Sequence, residues 1–258
     1  MISFSLHAYM INTFRKTRNS LLTENRIGKY LSYAIGEIIL VVLGILIALQ
    51  INNYNDARKE RQKELGYLKN IKSDLIANNL EMQKYMDERA AYIEYATTIL
   101  SYFEGKKVVN WDAFNKQTIA IYSWRRFYPI NNTFTELNNS GNFEILSNDS
   151  IKTMLLDLDS FNKIAKAEED HFRFDSETLI YECVYSLMDL YPILQKAEGK
   201  EDDKLWIAAY APFFKDRKLK NGFLMVQVEF SIMNQQLKDM KALSEKLIAI
   251  IGREMKKQ

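Results

Sequence analysis

One apolar stretch, Tyr30–Ile51, restricts what this chain can fold into more than any other part of its sequence. Glu37 is the only charged residue in the stretch. A helix that crosses a hydrocarbon core of about 30 Å needs roughly 20 mostly apolar residues, and the stretch meets that length. Tyrosines at its two ends, Tyr33 and Tyr54, suit the aromatic belts at membrane interfaces. The sequence therefore predicts one transmembrane helix over residues 30–54.

The strictly apolar part of this stretch is shorter and leaves an alternative open. Ile38–Leu49 has the length of a signal-peptide core or of a buried helix in a soluble domain. A signal peptide is followed by small residues at its cleavage site, whereas the chain continues as Ala48-Leu49-Gln50-Ile51. This exit favours an uncleaved membrane helix.

A face of small residues runs along the same predicted helix. Small side chains recur every four positions, with Leu40 as the exception, and they are Gly28, Ser32, Gly36, Gly44 and Ala48. Such faces allow close approach of helix backbones in lipid, so we expect self-association or docking on a partner's transmembrane helix. Glu37 is either partnered by another helix or placed near the headgroups.

The flanking charges suggest an orientation. A basic N-terminal arm, residues 1–29, precedes the helix, and basic residues also follow it, among them Arg58, Lys59 and Arg61. Positive charge favours the cytoplasmic side and weighs most in short segments. We expect the protein in a bacterial inner membrane, single-pass, with a cytoplasmic N-terminus and a periplasmic domain at residues 55–258.

Two segments carry a resemblance to a known family. GEIILVVLGILIALQINNYND (Gly36–Asp56), preceded by TENRIGKYLSYAI, resembles the signature of a family of uncharacterised single-span proteins from Bacteroidetes, a domain of unknown function. FYPINNTFTELNNSGNFEIL (Phe127–Leu146) resembles a downstream motif of that family. The resemblance begins at Met10, which suggests the natural start there. It implies membrane attachment and bacterial origin, and it implies no catalytic residues.

The region after the apolar stretch shows helical periodicity. Over residues 56–104 there is no proline, and a seam repeats at steps of three and four: Leu68, Ile71, Leu75, Asn78, Met82, Tyr85, Arg89, Tyr92, Ala96, Ile99 and Phe103. This heptad pattern is typical of coiled coils and helical bundles, with Asn78 and Arg89 as polar interruptions. It predicts either a dimeric stalk or, as we prefer, the first helix of an intramolecular bundle.

Further helices are predicted to the C-terminus. We expect helices over 111–124 with Asp112 as N-cap, after a capping box Thr133–Glu136, over 149–190 until Pro192 stops the helix, over 205–214, and over 217–256. Gly105 and Gly141 are expected at helix C-termini. The predicted fold is all-α: one N-terminal transmembrane helix that continues into an elongated antiparallel helical bundle.

Composition and motifs exclude several functions. The chain of 258 residues has a net charge of +2 and one cysteine, Cys183, which disfavours a dedicated nucleic-acid binder and excludes an intrachain disulfide. Glu168-Glu169-Asp170-His171 contains half of a di-iron motif, but the second half is missing. No phosphate loop, nucleophile elbow or kinase set occurs. We therefore expect no catalytic residue, no metal and no cofactor.

One cluster suits a binding role. Trp124, Arg125, Arg126, Phe127 and Tyr128 place arginines beside aromatic rings, a combination that binds anionic ligands, sugars or acidic peptides. The alternative is a loop whose rings close the end of the bundle and whose arginines pair with acids.

From these features we expect a non-enzymatic scaffold, or a module that senses a ligand or partner. An accessory subunit of a membrane enzyme or transporter is the alternative, and a membrane-associated nucleic-acid binder is a third hypothesis.

Overall fold

The computed structural model describes residues 27–197 and 203–257. The basic arm up to residue 26, with the suggested start at Met10, and residues 198–202 lie outside the described residues. All regular structure in the described ranges is helical. The chain divides into two units, Met1–Gln62 and Lys63–Gln258, and helix α1 (Ile27–Phe103) contributes residues to both.

In the first unit, the described residues are helical and their apolar side chains face outward. None of the apolar window of α1 is buried, and Ile38, Leu40 and Ile51 are all more than 60% exposed. Among the described residues, α1 is the helix that is long and apolar enough to cross a membrane by length and composition.

The second unit begins with the remainder of α1. Its further elements, in chain order, are α2 (Trp111–Tyr122), α3 (Asn132–Asn139), a 3₁₀ turn (Asn142–Ile145), α4 (Asp149–Ser176), a π-helical segment (Glu177–Tyr181), α5 (Glu182–Leu187), α6 (Leu190–Ala197), α7 (Asp203–Ala209), a second 3₁₀ turn (Phe213–Lys215) and α8 (Arg217–Glu254). The segment Val226–Phe230, which has some strand character, is therefore helical.

Two core clusters hold this unit together. The aliphatic cluster joins the first part of the seam to α4 and α8 through residues such as Leu68, Leu75, Leu155, Leu237 and Leu247. The aromatic cluster joins the end of the seam to α2, α7 and α8, with Phe114, Trp206, Tyr210, Phe213 and Phe223 fully buried. Eight of the eleven residues of the predicted seam are thus buried within one chain, and the bundle arrangement stays a prediction.

The predicted positions of Gly105 and Gly141 at helix C-termini are confirmed. Gly105 has φ +95° and follows the end of α1, where the Lys106 N–H donates to the Ser101 carbonyl at 3.1 Å. Gly141 has φ +71° and follows α3. Because φ is positive at both positions, a side chain would strain the backbone there.

Three predicted helix boundaries were wrong in detail. The N-cap of α2 is Asn110, whose side chain accepts a hydrogen bond from the Ala113 N–H, and Asp112 lies in the first turn. The capping box does not form, because the Thr133 hydroxyl donates to Asp74 instead, at 2.6 Å. Pro192 lies in the first turn of α6, where its missing N–H costs nothing, and the chain leaves helical geometry earlier, at Met188.

Candidate functional site

The loop between α2 and α3 carries the arginine and aromatic cluster. Phe127 is buried and contacts Tyr85 edge-to-face with ring centroids 5.6 Å apart. The Trp124 ring packs on Phe172 at 4.8 Å. Tyr128, in contrast, is 77% exposed. Two of the three rings are therefore part of the core, and Tyr128 is presented to solvent.

Both arginines of this loop pair with acids. Arg125 contacts Glu88 at 2.7 Å, and its side chain remains 65% exposed. The negative charge of Glu88 raises the pKa of Arg125. Arg126 contacts Asp170 at 2.6 Å and holds the pKa of that carboxyl below its usual range. These pairs correspond to the structural alternative for the loop, while ligand contact by the exposed Arg125 and Tyr128 stays a prediction.

The two polar interruptions of the seam hold this loop in place. The Arg89 guanidinium pairs with the buried Glu169 carboxylate, and the same Glu169 oxygen accepts the Phe127 N–H at 3.0 Å. Asn78 makes two hydrogen bonds of 2.8 Å to Ile130, one to its carbonyl oxygen and one from its N–H. The interruptions in the heptad pattern were visible in the sequence. Their partners, Ile130 and Glu169, lie 52 and 80 residues away along the chain and could not be identified from the sequence.

A small cavity adjoins the loop. It has a volume of about 60 Å³ and is lined by apolar side chains of both α1 and the loop, with polar groups from Asn78, Asp159 and Ser244 at its wall. A cavity of that size holds a few water molecules. The Ser244 hydroxyl is buried without a hydrogen-bond partner among the described residues.

A second polar cluster is formed by side chains of α4 and α8. His171 and Asp175 are one turn apart on α4, and Glu229 reaches them from α8. The three side chains place one ligand-type atom each within 4.8 Å of one another. Burial and the nearby Asp175 raise the pKa of Glu229 to about 7, and His171 opposes this shift.

This cluster was missed from the sequence, although a signal for it exists. Glu229 is three residues after Val226 and four before Met233, which are both buried, so it lies on the apolar face of α8. A carboxylate on such a face requires a partner. In the Glu-x-x-His segment, Glu169 is engaged with Arg89, Asp170 with Arg126, and His171 alone turns toward Glu229.

Cys183, the one cysteine of the chain, is buried and free. Burial and the charge of Asp216 raise the pKa of this thiol. A thiol that is held protonated is a weak nucleophile and a weak metal ligand.

No contact among the described residues tests whether the small-residue face of α1 associates with another helix. An added Cβ at Gly28, Gly36 or Gly44 would meet nothing within 4 Å among the described residues. The Ser32 hydroxyl donates to the Gly28 carbonyl within the helix at 3.1 Å, and Glu37 is exposed. The face is therefore open, and its role in association stays a prediction.

Comparison with known proteins gives a family. Residues 37–198 match a family described as "Family of unknown function (DUF6090)". No curated protein and no solved structure matches the chain.

Proposed function

Because the chain belongs to the DUF6090 family, which carries no assigned function, we propose a function from its own residues: a non-enzymatic scaffold, or a domain that senses a ligand or partner, anchored in a membrane by helix α1. In this proposal residues 30–54 span the bilayer. Residues 55–258 form an elongated antiparallel bundle that supplies the binding surface.

The observation that carries the proposal is the exposure of the apolar segment. None of its window is buried, although the mean hydropathy of the window is 2.6. Continuous apolar surface of this extent is unfavourable in water, at about 25 cal/mol per Å², and typical of contact with lipid or protein. The segment has the length for lipid, and the tyrosines at its ends suit the two interfaces.

Topology is the first test. We propose a bacterial inner-membrane location with a cytoplasmic N-terminus and a periplasmic domain. A reporter that is active only outside the cytoplasm, fused after Gln258, should be active. Activity only of a cytoplasmic reporter at the same position would reverse the orientation and direct the search to cytoplasmic partners. Release of the chain from membranes by alkaline carbonate would contradict the anchor itself.

Association through the small-residue face is the second part of the proposal. The open surface at Gly36 and Gly44 supports it, since close backbone approach requires small residues. In mild detergent, cross-linking should capture oligomers of the wild type, and Gly36→Ile with Gly44→Ile should abolish them. Val42→Ile with Leu46→Ile, on the opposite helix face, is the matched control and should leave them intact. Equal cross-linking of both double variants would contradict association through the small-residue face.

A role as accessory subunit of a membrane enzyme or transporter complex is the second candidate. The same open face, with Glu37 beside it, suits docking on the transmembrane helix of another protein. Co-purification in mild detergent separates the candidates. Recovery as a homo-oligomer alone favours the scaffold, and stoichiometric recovery with an enzyme or transporter chain favours the accessory subunit.

A further inference from the structure

The cluster of His171, Asp175 and Glu229 has the geometry of a ligand set. The distance from His171 Nδ1 to Glu229 Oε2 is 3.4 Å. A tetrahedral zinc ion with bonds of about 2.0–2.1 Å holds its ligands roughly 3.3–3.4 Å apart. One carboxylate oxygen of Asp175 lies within 4.8 Å of a ligand-type atom of each of the other two side chains.

Glu229 supplies a second observation, because its buried carboxylate faces His171 at 3.4 Å and lacks a hydrogen bond among the described residues. Its side chain is 6% exposed, and neither carboxylate oxygen makes a hydrogen bond in the described part of the chain. A buried carboxylate without hydrogen bonds is costly unless a cation compensates it. His171 supplies a charge only when it is protonated, and its side chain is 63% exposed.

We propose that His171, Asp175 and Glu229 bind a divalent transition-metal ion of the zinc type. One imidazole nitrogen and two carboxylate oxygens suit zinc and related metals. Magnesium and calcium prefer all-oxygen sets with more ligands. Three protein ligands leave a fourth position for water, and the exposed His171 places that position at the protein surface.

The site would join two helices of the core. His171 and Asp175 belong to α4 and Glu229 to α8, so a bound ion links the two helices that the aliphatic and aromatic clusters also hold together. The π-helical segment begins two residues after Asp175, and such segments are frequent at functional sites. Metal binding to the folded state alone stabilises it by mass action. The inference is independent of the proposed membrane function.

The test is zinc titration of the full chain in detergent, stripped of metal beforehand, by competition with a chromophoric chelator. The wild type should bind one zinc ion per chain and unfold at a higher temperature with zinc. His171→Ala and Glu229→Gln should each weaken binding at least tenfold and lose the thermal shift.

Two controls exclude other ligands. Glu168→Gln removes the carboxylate of the Glu-x-x-His pattern, and His7→Ala removes the only histidine of the sequence other than His171. Both should bind zinc as the wild type does. If Glu229→Gln fails to fold, His171→Ala decides, because that side chain is largely exposed. Absence of binding by the wild type, or retained binding by His171→Ala, would overturn the proposal and leave a simple His171–Glu229 ion pair.

Discussion

Helix α1 contains two segments that use apolar residues in opposite ways. Within residues 27–62 the apolar run Ile38–Leu49 is continuous, and its side chains are exposed around the helix. In residues 63–103 they recur every three or four positions, and Leu68, Ile71, Met82 and Ile99 are at most 3% exposed. Burial within the chain thus follows periodicity rather than hydrophobicity, because only a one-sided stripe can be covered by neighbouring helices while the other side stays polar.

In each segment a charged residue, Glu37 or Arg89, interrupts the apolar pattern, and the surroundings of these two residues differ. Glu37 in the first segment is exposed. Arg89 in the second is 3% exposed and pairs with Glu169. If the first segment lies in lipid, Glu37 needs a partner from water, headgroups or another helix. The comparison therefore predicts different consequences for similar substitutions in the two segments.

The largest effect is expected from arginines in the exposed segment. Leu43→Arg with Leu46→Arg should raise the free energy of membrane insertion by about 6–8 kcal/mol, since each exchange replaces a favourable residue by a costly one. The measurement is the fraction of the chain that resists alkaline carbonate extraction. Leu43→Ile with Leu46→Ile is the control and should stay in the membrane. Full retention of the arginine variant would contradict a lipid-facing segment.

Removal of the buried arginine should have the next largest effect. Arg89→Met leaves Glu169 charged and unpaired, which should cost about 3–5 kcal/mol of unfolding free energy. Trp111, Trp124 and Trp206 are the three tryptophans of the chain and all lie after residue 62, so urea unfolding followed by tryptophan fluorescence reports on this unit.

Two further variants distinguish pairing from packing at Arg89. Adding Glu169→Gln should recover part of the loss, because glutamine keeps an acceptor for the Phe127 N–H and carries no charge. Arg125→Met removes an exposed pair and should cost far less unfolding free energy than Arg89→Met, because solvent screens an exposed pair. Equal losses for Arg89→Met and Arg125→Met would show that burial does not determine the strength of these pairs.

The same substitution in both segments of α1 tests the comparison directly. Leu68→Ala should lower the unfolding free energy by about 2–5 kcal/mol, since Leu68 is fully buried and its removal leaves a cavity. Leu40→Ala, at a position that is 66% exposed, should change it by less than about 0.5 kcal/mol. Tryptophan fluorescence under urea is again the measurement. A loss at Leu40 as large as that at Leu68 would contradict the comparison, because it would mean that the apolar segment is buried in solution.

The parts of the fold that depend on local periodicity could be predicted. The last long helix and the seam on α1 were both expected: α8 forms over Arg217–Glu254, and eight of the eleven seam residues are buried. Helix starts were less predictable, because Asn110 and Asp112 are both good capping residues and the backbone decides between them.

One continuous helix was predicted over residues 149–190, and no sequence pattern indicated the π-helical segment within it. Contacts such as Arg89–Glu169, and the meeting of Glu229 with His171, depend on how distant helices face each other. Composition contains no information about those contacts. The spacing of residues indicates only that a charged side chain, such as Glu229, lies on an apolar helix face.

The smallest effect concerns two helical glycines that look alike in the sequence. A Cβ at Gly222 would lie 2.7 Å from Ile180 Cγ1 and 3.1 Å from the Leu179 carbonyl oxygen, whereas at Gly66 it would meet nothing within 4 Å. Gly222→Ala should therefore cost about 1–3 kcal/mol through overpacking against the π-helical segment. Gly66→Ala should stabilise by about 0.5–1 kcal/mol, since alanine loses less backbone entropy in a helix.

Urea unfolding of the two alanine variants side by side gives the sign of each change. Opposite signs would establish that α8 approaches the π-helical segment so closely that only glycine fits. A stabilising Gly222→Ala would show instead that the π-helical segment relaxes away from α8, and the position of Asp175 just before that segment would then be adjustable as well.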